Sequence, residues 1–114
     1  MPQRNLPYLR HMLDAVERIG RYLEGVDFEG FETNEVLQDA VIRQLEILGE
    51  AASRVDQQYR SSTPQIPWSK VISTRNRLIH GYFSVDMEIV YRTATHHVPG
   101  LRPSLEQAVG DPDR

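Results

Sequence analysis

In the stretch TRNRLIHGYF, residues 74–83, four side chains able to do chemistry fall close together: Arg75, Asn76, His80 and Tyr82. A guanidinium holds a phosphate bidentately, an imidazole transfers protons near neutral pH, an amide can orient it, and a phenol completes the set. Metal-independent cleavage of RNA needs such groups. The ribose 2'-hydroxyl must lose a proton, the phosphorane-like transition state needs positive charge, and the leaving oxygen needs a proton. Arg75 suits the second need and His80 the first or third. One His per chain cannot easily be base and acid at once, so a two-fold dimer that brings two copies of the segment together is an attractive arrangement.

On an ideal helix Asn76 and His80, four apart, share a face, and Arg75 lies about 100° round from Asn76. The three are expected to converge at the helix end, where Gly81 frees the backbone so that Tyr82 can fold back. Spacing alone leaves a plainer possibility open. His80 could merely cap the helix C-terminus, Arg75 could pair with a carboxylate such as Glu50, and Tyr82 could be a half-buried core aromatic.

The surrounding sequence must position these groups. Leu6, Leu9, Leu13, Val16, Ile19 and Leu23 recur at spacings of three and four, which predicts a helix from about residue 5 to 25. GVDFEGFET then reads as a loop, with Thr33 or Asn34 capping the next helix. Leu37, Val41, Leu45, Leu48, Ala52, Val55 and Tyr59 carry that second helix for more than six turns. Its polar face holds Arg43, Glu46, Glu50 and Arg54, with Arg43–Glu46 and a pair from Glu46 or Glu50 to Arg54 within helical reach. RSSTPQIP is a connector. A third helix is predicted over 68–80, ended by Gly81, and a fourth after an Asp86 cap. Pro99 interrupts the fourth, and residues 101–109 either continue it past a kink or form a short fifth helix. No strand pattern is present. The expected architecture is all-α: one domain over residues 1–114, an antiparallel bundle of four to five helices.

The 114 residues contain no Cys, which excludes disulfides, thiolate catalysis and Cys-ligated metals. No signal-peptide core or membrane-length apolar run is found, so a cytoplasmic chain without a membrane partner is expected. A net charge of −3 would ordinarily argue against nucleic acid. Its distribution argues the other way, because residues 57–85 hold Arg60, Lys70, Arg75 and Arg77 and no acidic residue. His96 and His97 are adjacent and point about 100° apart on a helix, so no metal site is expected. His11 has no partner in sequence, and Tyr8, Tyr22, Tyr59 and Tyr91 read as core rather than as base-stacking platforms. Phosphate-binding glycine loops and the Gly-x-Ser-x-Gly elbow are absent, and no cofactor is expected.

The segment IPWSKVISTRNRLIHGYFSVDMEIVY resembles the signature of the HEPN superfamily, in its HepT-like branch. The family motif is Arg, four residues, His, one residue, Tyr, met here by Arg75, His80 and Tyr82, with the frequent Asn present as Asn76. VIRQLEILGEAASRV resembles the second-helix segment, including Gly49, Glu50 and Ala51. The likeness runs in order from the first helix to Pro99. Two positions depart from it, Tyr91 where Trp is common and Thr74 where Met is common, and both read as packing substitutions.

The resemblance implies a helical HEPN bundle forming a homodimer with the motif near the dimer cleft. It implies an endoribonuclease toxin of a type VII-like toxin–antitoxin pair, with Arg75, His80 and Asn76 as catalytic residues. Gly81, Glu50, Arg43 and Arg77 would support the site. The partner it implies is a cognate minimal nucleotidyltransferase antitoxin, which would silence the toxin by transferring AMP to Tyr82. A negatively charged nucleotide there would occupy the cleft, pair with Arg75 and repel RNA. The alternative is a non-catalytic helical subunit that binds a nucleotidyltransferase; a purely structural oligomer would have no need of the four motif residues together.

Overall fold

The computed structural model describes residues 2–81 and 85–110. Among them the order is α1 (Pro2–Tyr22), α2 (Phe28–Glu32), α3 (Glu35–Arg54), α4 (Gln57–Ser62), α5 (Trp68–His80), α6 (Met87–Arg92) and α7 (Arg102–Gly110). A π turn, Thr93–His97, and a 3₁₀ turn, Val98–Leu101, link the last two. No strand occurs among the described residues, as the all-α expectation requires. The two most extensive contacts are α1 against α3 and α3 against α5, with α7 closing on α1.

The periodic apolar stripes become the core. Leu9, Met12, Val16 and Ile19 of α1 meet Val41, Leu45, Leu48 and Ala52 of α3, and Leu105 of α7 seals the far side. At the N-terminus of α3 the cap is Asn34, whose Oδ1 accepts the Leu37 N–H at 3.0 Å. The segment expected as loop before it contains α2. Asp27 caps that short helix by accepting the Gly30 N–H, and Phe31 drives it into the core with no exposed surface.

The second predicted helix is shorter than its stripe suggests. Val55 leaves helical geometry, and Asp56 starts α4 by accepting the Tyr59 N–H at 2.8 Å. The Asp56 N–H itself donates to Oδ1 of Asn5, a buried side chain from α1, so a contact 51 residues away supports the break. The connector RSSTPQIP accordingly begins inside a helix rather than after one. Trp68 then anchors the start of α5, its Nε1–H shared between the carbonyl and hydroxyl oxygens of Thr63 and its ring edge-on to Tyr59.

α5 has the predicted bounds and ends at Gly81, whose N–H donates to the Arg77 carbonyl. Gly81 has φ −118°, so the helix stops there without a left-handed residue. Asp86 caps α6 by accepting the Glu88 N–H. Pro99 does not end the helical path. The chain widens into the π turn and tightens into the 3₁₀ turn, changing hydrogen-bond register around the residue that lacks an N–H.

Tyr91 is the packing position the sequence implied. Its ring lies 5.6 Å from Phe28 and 5.5 Å from Phe31, and its hydroxyl donates to the Val26 carbonyl at 2.6 Å. Arg102 ties α7 to α1 through Glu17 while also pairing with Glu106. Among the described residues, no helix is long and apolar enough to cross a membrane.

Candidate active site on helix α5

Arg75 reaches its position because α3 and α5 approach unusually closely at Gly49. A Cβ built on Gly49 would fall 2.1 Å from the Arg75 Cβ and 3.0 Å from the Val71 carbonyl oxygen, far inside ordinary contact. Only a hydrogen at residue 49 allows this spacing. The neighbouring Glu50 is thereby set beside the guanidinium.

Arg75 Nη2 pairs with Glu50 Oε1, and Nη1 donates to Asn76 Oδ1 at 2.8 Å. The other Glu50 oxygen binds Arg54, so one carboxylate holds two arginines. Two of the five guanidinium donors are thus engaged, while Nε–H is buried with no acceptor among the described residues. With 28% of its side chain exposed, Arg75 is oriented but still open to an incoming oxyanion.

Around this arginine lies a recess of about 450 Å³ lined by Tyr8, His11, Arg43, Glu46, Glu50, Arg75 and Ile79, among others. It gathers three of the supporting or catalytic positions expected from sequence: Arg43, Glu50 and Arg75. The expected Arg43–Glu46 ion pair does not form among the described residues, whereas Glu50–Arg54 does. His11, which had no partner in sequence, enters the recess from α1. No local signal could have shown this, because α1 and α5 come to line one recess only by both packing on α3, a tertiary event.

His80 faces elsewhere. It is exposed and lines a second cavity of about 410 Å³ with Arg77, Gly81, Asp86, Ile89 and Thr93. His80 lies five positions after Arg75 along α5, which puts the two about 140° apart. Among the described residues of one chain the two line different cavities, contrary to the expected convergence at the helix end. Asn76 leans to the arginine side through its hydrogen bond. The plainer possibility was therefore correct for the Arg75–Glu50 pair. Tyr82, the remaining motif residue, lies outside the described residues.

Among the described residues, no group of three or more His, Asp or Glu side chains is placed to hold a metal ion. Arg75 offers oriented positive charge, and His80 offers a solvent-accessible imidazole beside Arg77, whose side chain has no ion-pair partner among the described residues.

A model of the family described as ribonuclease HepT-like matches residues 12–108. A Thermococcus cleftensis protein named probable ribonuclease HepT is 34% identical over 107 residues, covering 94% of this chain and 97% of its own. Relatives from Caldanaerobacter subterraneus and Methanocaldococcus jannaschii carry similarly qualified RNase names. They are 34% and 33% identical, covering 89% and 97% of this chain and 90% and 97% of theirs. No solved structure matches the chain. The motif on α5, the Gly49–Glu50 segment that seats its arginine, and a match spanning nearly the whole helical bundle agree: the chain belongs to the ribonuclease HepT-like family.

Proposed function

We propose that this protein is a metal-independent endoribonuclease, the toxin of a toxin–antitoxin pair, with Arg75 and His80 as its catalytic residues and Asn76 as the orienter of the arginine. The observation that carries this is the held guanidinium. Glu50 and Asn76 fix Arg75 on a surface recess while leaving donors for a phosphate. The 2'-hydroxyl gives its proton to a base and its oxygen attacks the adjacent phosphorus, forming the 2'-O–P bond. The P–O5' bond breaks, and an acid returns a proton to the leaving oxygen. Arg75 offsets the charge that builds on the phosphoryl oxygens, and His80 serves one of the two proton transfers.

The 140° between Arg75 and His80 within one chain supports a homodimer as the working form. A two-fold axis near the end of α5 would bring the imidazole of one copy toward the guanidinium of the other and supply two imidazoles for base and acid. Tyr82, two residues beyond His80, is the acceptor for AMP from a partner nucleotidyltransferase. Its modification would place negative charge beside the site and exclude RNA.

A second reading, a non-catalytic subunit of a nucleotidyltransferase complex, draws on the same Glu50 contact, since a paired arginine can be purely structural. One experiment separates the two. Total RNA is incubated with the purified parent and with His80→Ala, and intact mass is followed with the nucleotidyltransferase, ATP and magnesium. Cleavage by the parent but not by the folded His80→Ala protein, with AMP mass gained at Tyr82 and lost in Tyr82→Phe, is the expected result. Equal cleavage by parent and His80→Ala would refute the role of His80. No cleavage and no mass gain would leave the subunit reading.

A further inference from the structure

Beyond His80, the same face of α5 carries Arg77, Thr74, Ser73 and Lys70, at helical spacings of three and four. Ser73, Thr74, Arg77 and Lys70 line a third cavity, about 420 Å³, walled opposite by Thr93 and His97 of the π turn and floored by Leu45, Val71 and Leu101. It shares Leu45, Thr74, Arg77 and Thr93 with the cavity that holds His80. The two are therefore one groove running along α5 from His80 to Lys70, about 15 Å at the helical rise.

Its chemistry is uneven in an informative way. No acidic residue lines the Lys70 end, and Asp86 lines only the His80 end. Lys70 and Arg77 are exposed, and neither side chain has a hydrogen-bond or ion-pair partner among the described residues. Four other arginines, Arg54, Arg75, Arg92 and Arg102, are drawn into pairs with Glu17, Glu50, Glu88 and Glu106. The π turn that accommodates Pro99 is a rare helical irregularity, of a kind that frequently accompanies functional sites. It sets His97 on the wall facing Lys70 and Arg77. Two free cations at one rim, an imidazole at the other and an apolar floor suit an occupant with a charged backbone and flat, weakly polar bases.

We propose that this groove is a binding track for single-stranded RNA flanking the cleaved phosphodiester. Lys70 and Arg77 hold successive phosphates, and the floor of Leu45, Val71 and Leu101 receives a base. The track rests on the ribonuclease reading for its purpose, but its occupancy is testable separately. Thr74 has a place in it as well. Where the sequence suggested only packing, its side chain lines the groove, with Oγ1 turned to donate to the Lys70 carbonyl.

The test measures binding of a 5'-labelled single-stranded RNA by fluorescence anisotropy across a salt series. The full-length His80→Ala protein is compared with the same protein carrying Lys70→Gln and Arg77→Gln. A control carries Arg18→Gln and Arg21→Gln, which change net charge equally on exposed positions of α1 outside the groove. Each phosphate contact contributes about 0.7 to the slope of log affinity against log salt for a single strand. Loss of two contacts lowers the slope by about 1.4, and affinity by about 25-fold at 0.1 M salt relative to 1 M. The control should bind as its parent does.

An unchanged slope in the groove variant would overturn the track, and cleavage by the parent protein would still uphold the ribonuclease reading. Groove-dependent binding without cleavage would uphold the track and sink the nuclease. Sedimentation velocity adds the last outcome: a loss of binding that accompanies dissociation of a dimer, absent from the control, would make the groove an interface between copies and overturn the proposal.

Discussion

Replacing Gly49 by Ala tests the structural basis of the site most directly. The added Cβ would sit 2.1 Å from the Arg75 Cβ and 2.9 Å from its Cγ, where ordinary contact begins near 3.4 Å. α3 and α5 must therefore part by about 1.3 Å along that line, the difference between those two distances. Neither the Cβ of Arg75 nor the Val71 carbonyl can swing aside as a flexible side-chain end could. Overpacking of this kind costs about 1–3 kcal/mol. It is opposed by the roughly 1 kcal/mol that Ala gains over Gly inside a helix. The net is a destabilisation of roughly 0–2 kcal/mol, or a fall in Tm of up to about 10 °C for a chain of this size.

The same displacement carries Arg75 away from Glu50. Misplacement of a catalytic group by about 1 Å can cost roughly 100-fold in rate. Urea denaturation and RNA cleavage are measured together, with Gly20→Ala as the matched control. Gly20 lies within α1 with nothing within 4 Å of its hypothetical Cβ, so that change should stabilise by about 0.5–1 kcal/mol. If Gly49→Ala is as stable as Gly20→Ala and cleaves at the parental rate, the close approach at residue 49 is not what seats Arg75.

Two further outcomes follow from the fold. Tyr91→Phe keeps the ring contacts with Phe28 and Phe31 but leaves the Val26 carbonyl without its donor, so stability should fall by about 0.5–1.5 kcal/mol in urea denaturation. No change would mean the hydroxyl contributes nothing there. Asp56 has its carboxyl held below the usual range, chiefly by the hydrogen bond it accepts from the Tyr59 N–H. A lowered folded-state pKa gives stability that is present above the ordinary Asp value and lost as pH falls through the lowered one. The Tm difference between the parent and Asp56→Ala should therefore be constant at pH 5–7 and shrink below about pH 4. A gap that stays constant to pH 2 would contradict this.

What could be read directly in the sequence was local in origin. The bounds of α5, the Asn34 and Asp86 caps and the apolar stripes of α1 and α3 follow from interactions three or four residues apart, and they appear where the pattern puts them. α2 was missed because five residues give too short a period to recognise, and its stability comes from burying Phe31.

Other features were decided across the fold. The stripe of α3 continues to Tyr59 as a pattern, but the helix stops at Arg54 because Asn5 from α1 takes the Asp56 N–H. The pairing of Arg75 with Glu50 spans 25 residues and exists because a hydrogen at residue 49 lets two helices touch. His11 joins the arginine recess, and His80 and Arg75 part into separate cavities, because neighbouring helices cover different faces of α5. Residue types and their intervals named the groups available for chemistry. Which of them share a cavity was set by the packing of α1, α3 and the π turn around α5, since helical spacing fixes an angle about an axis but not what lies opposite it.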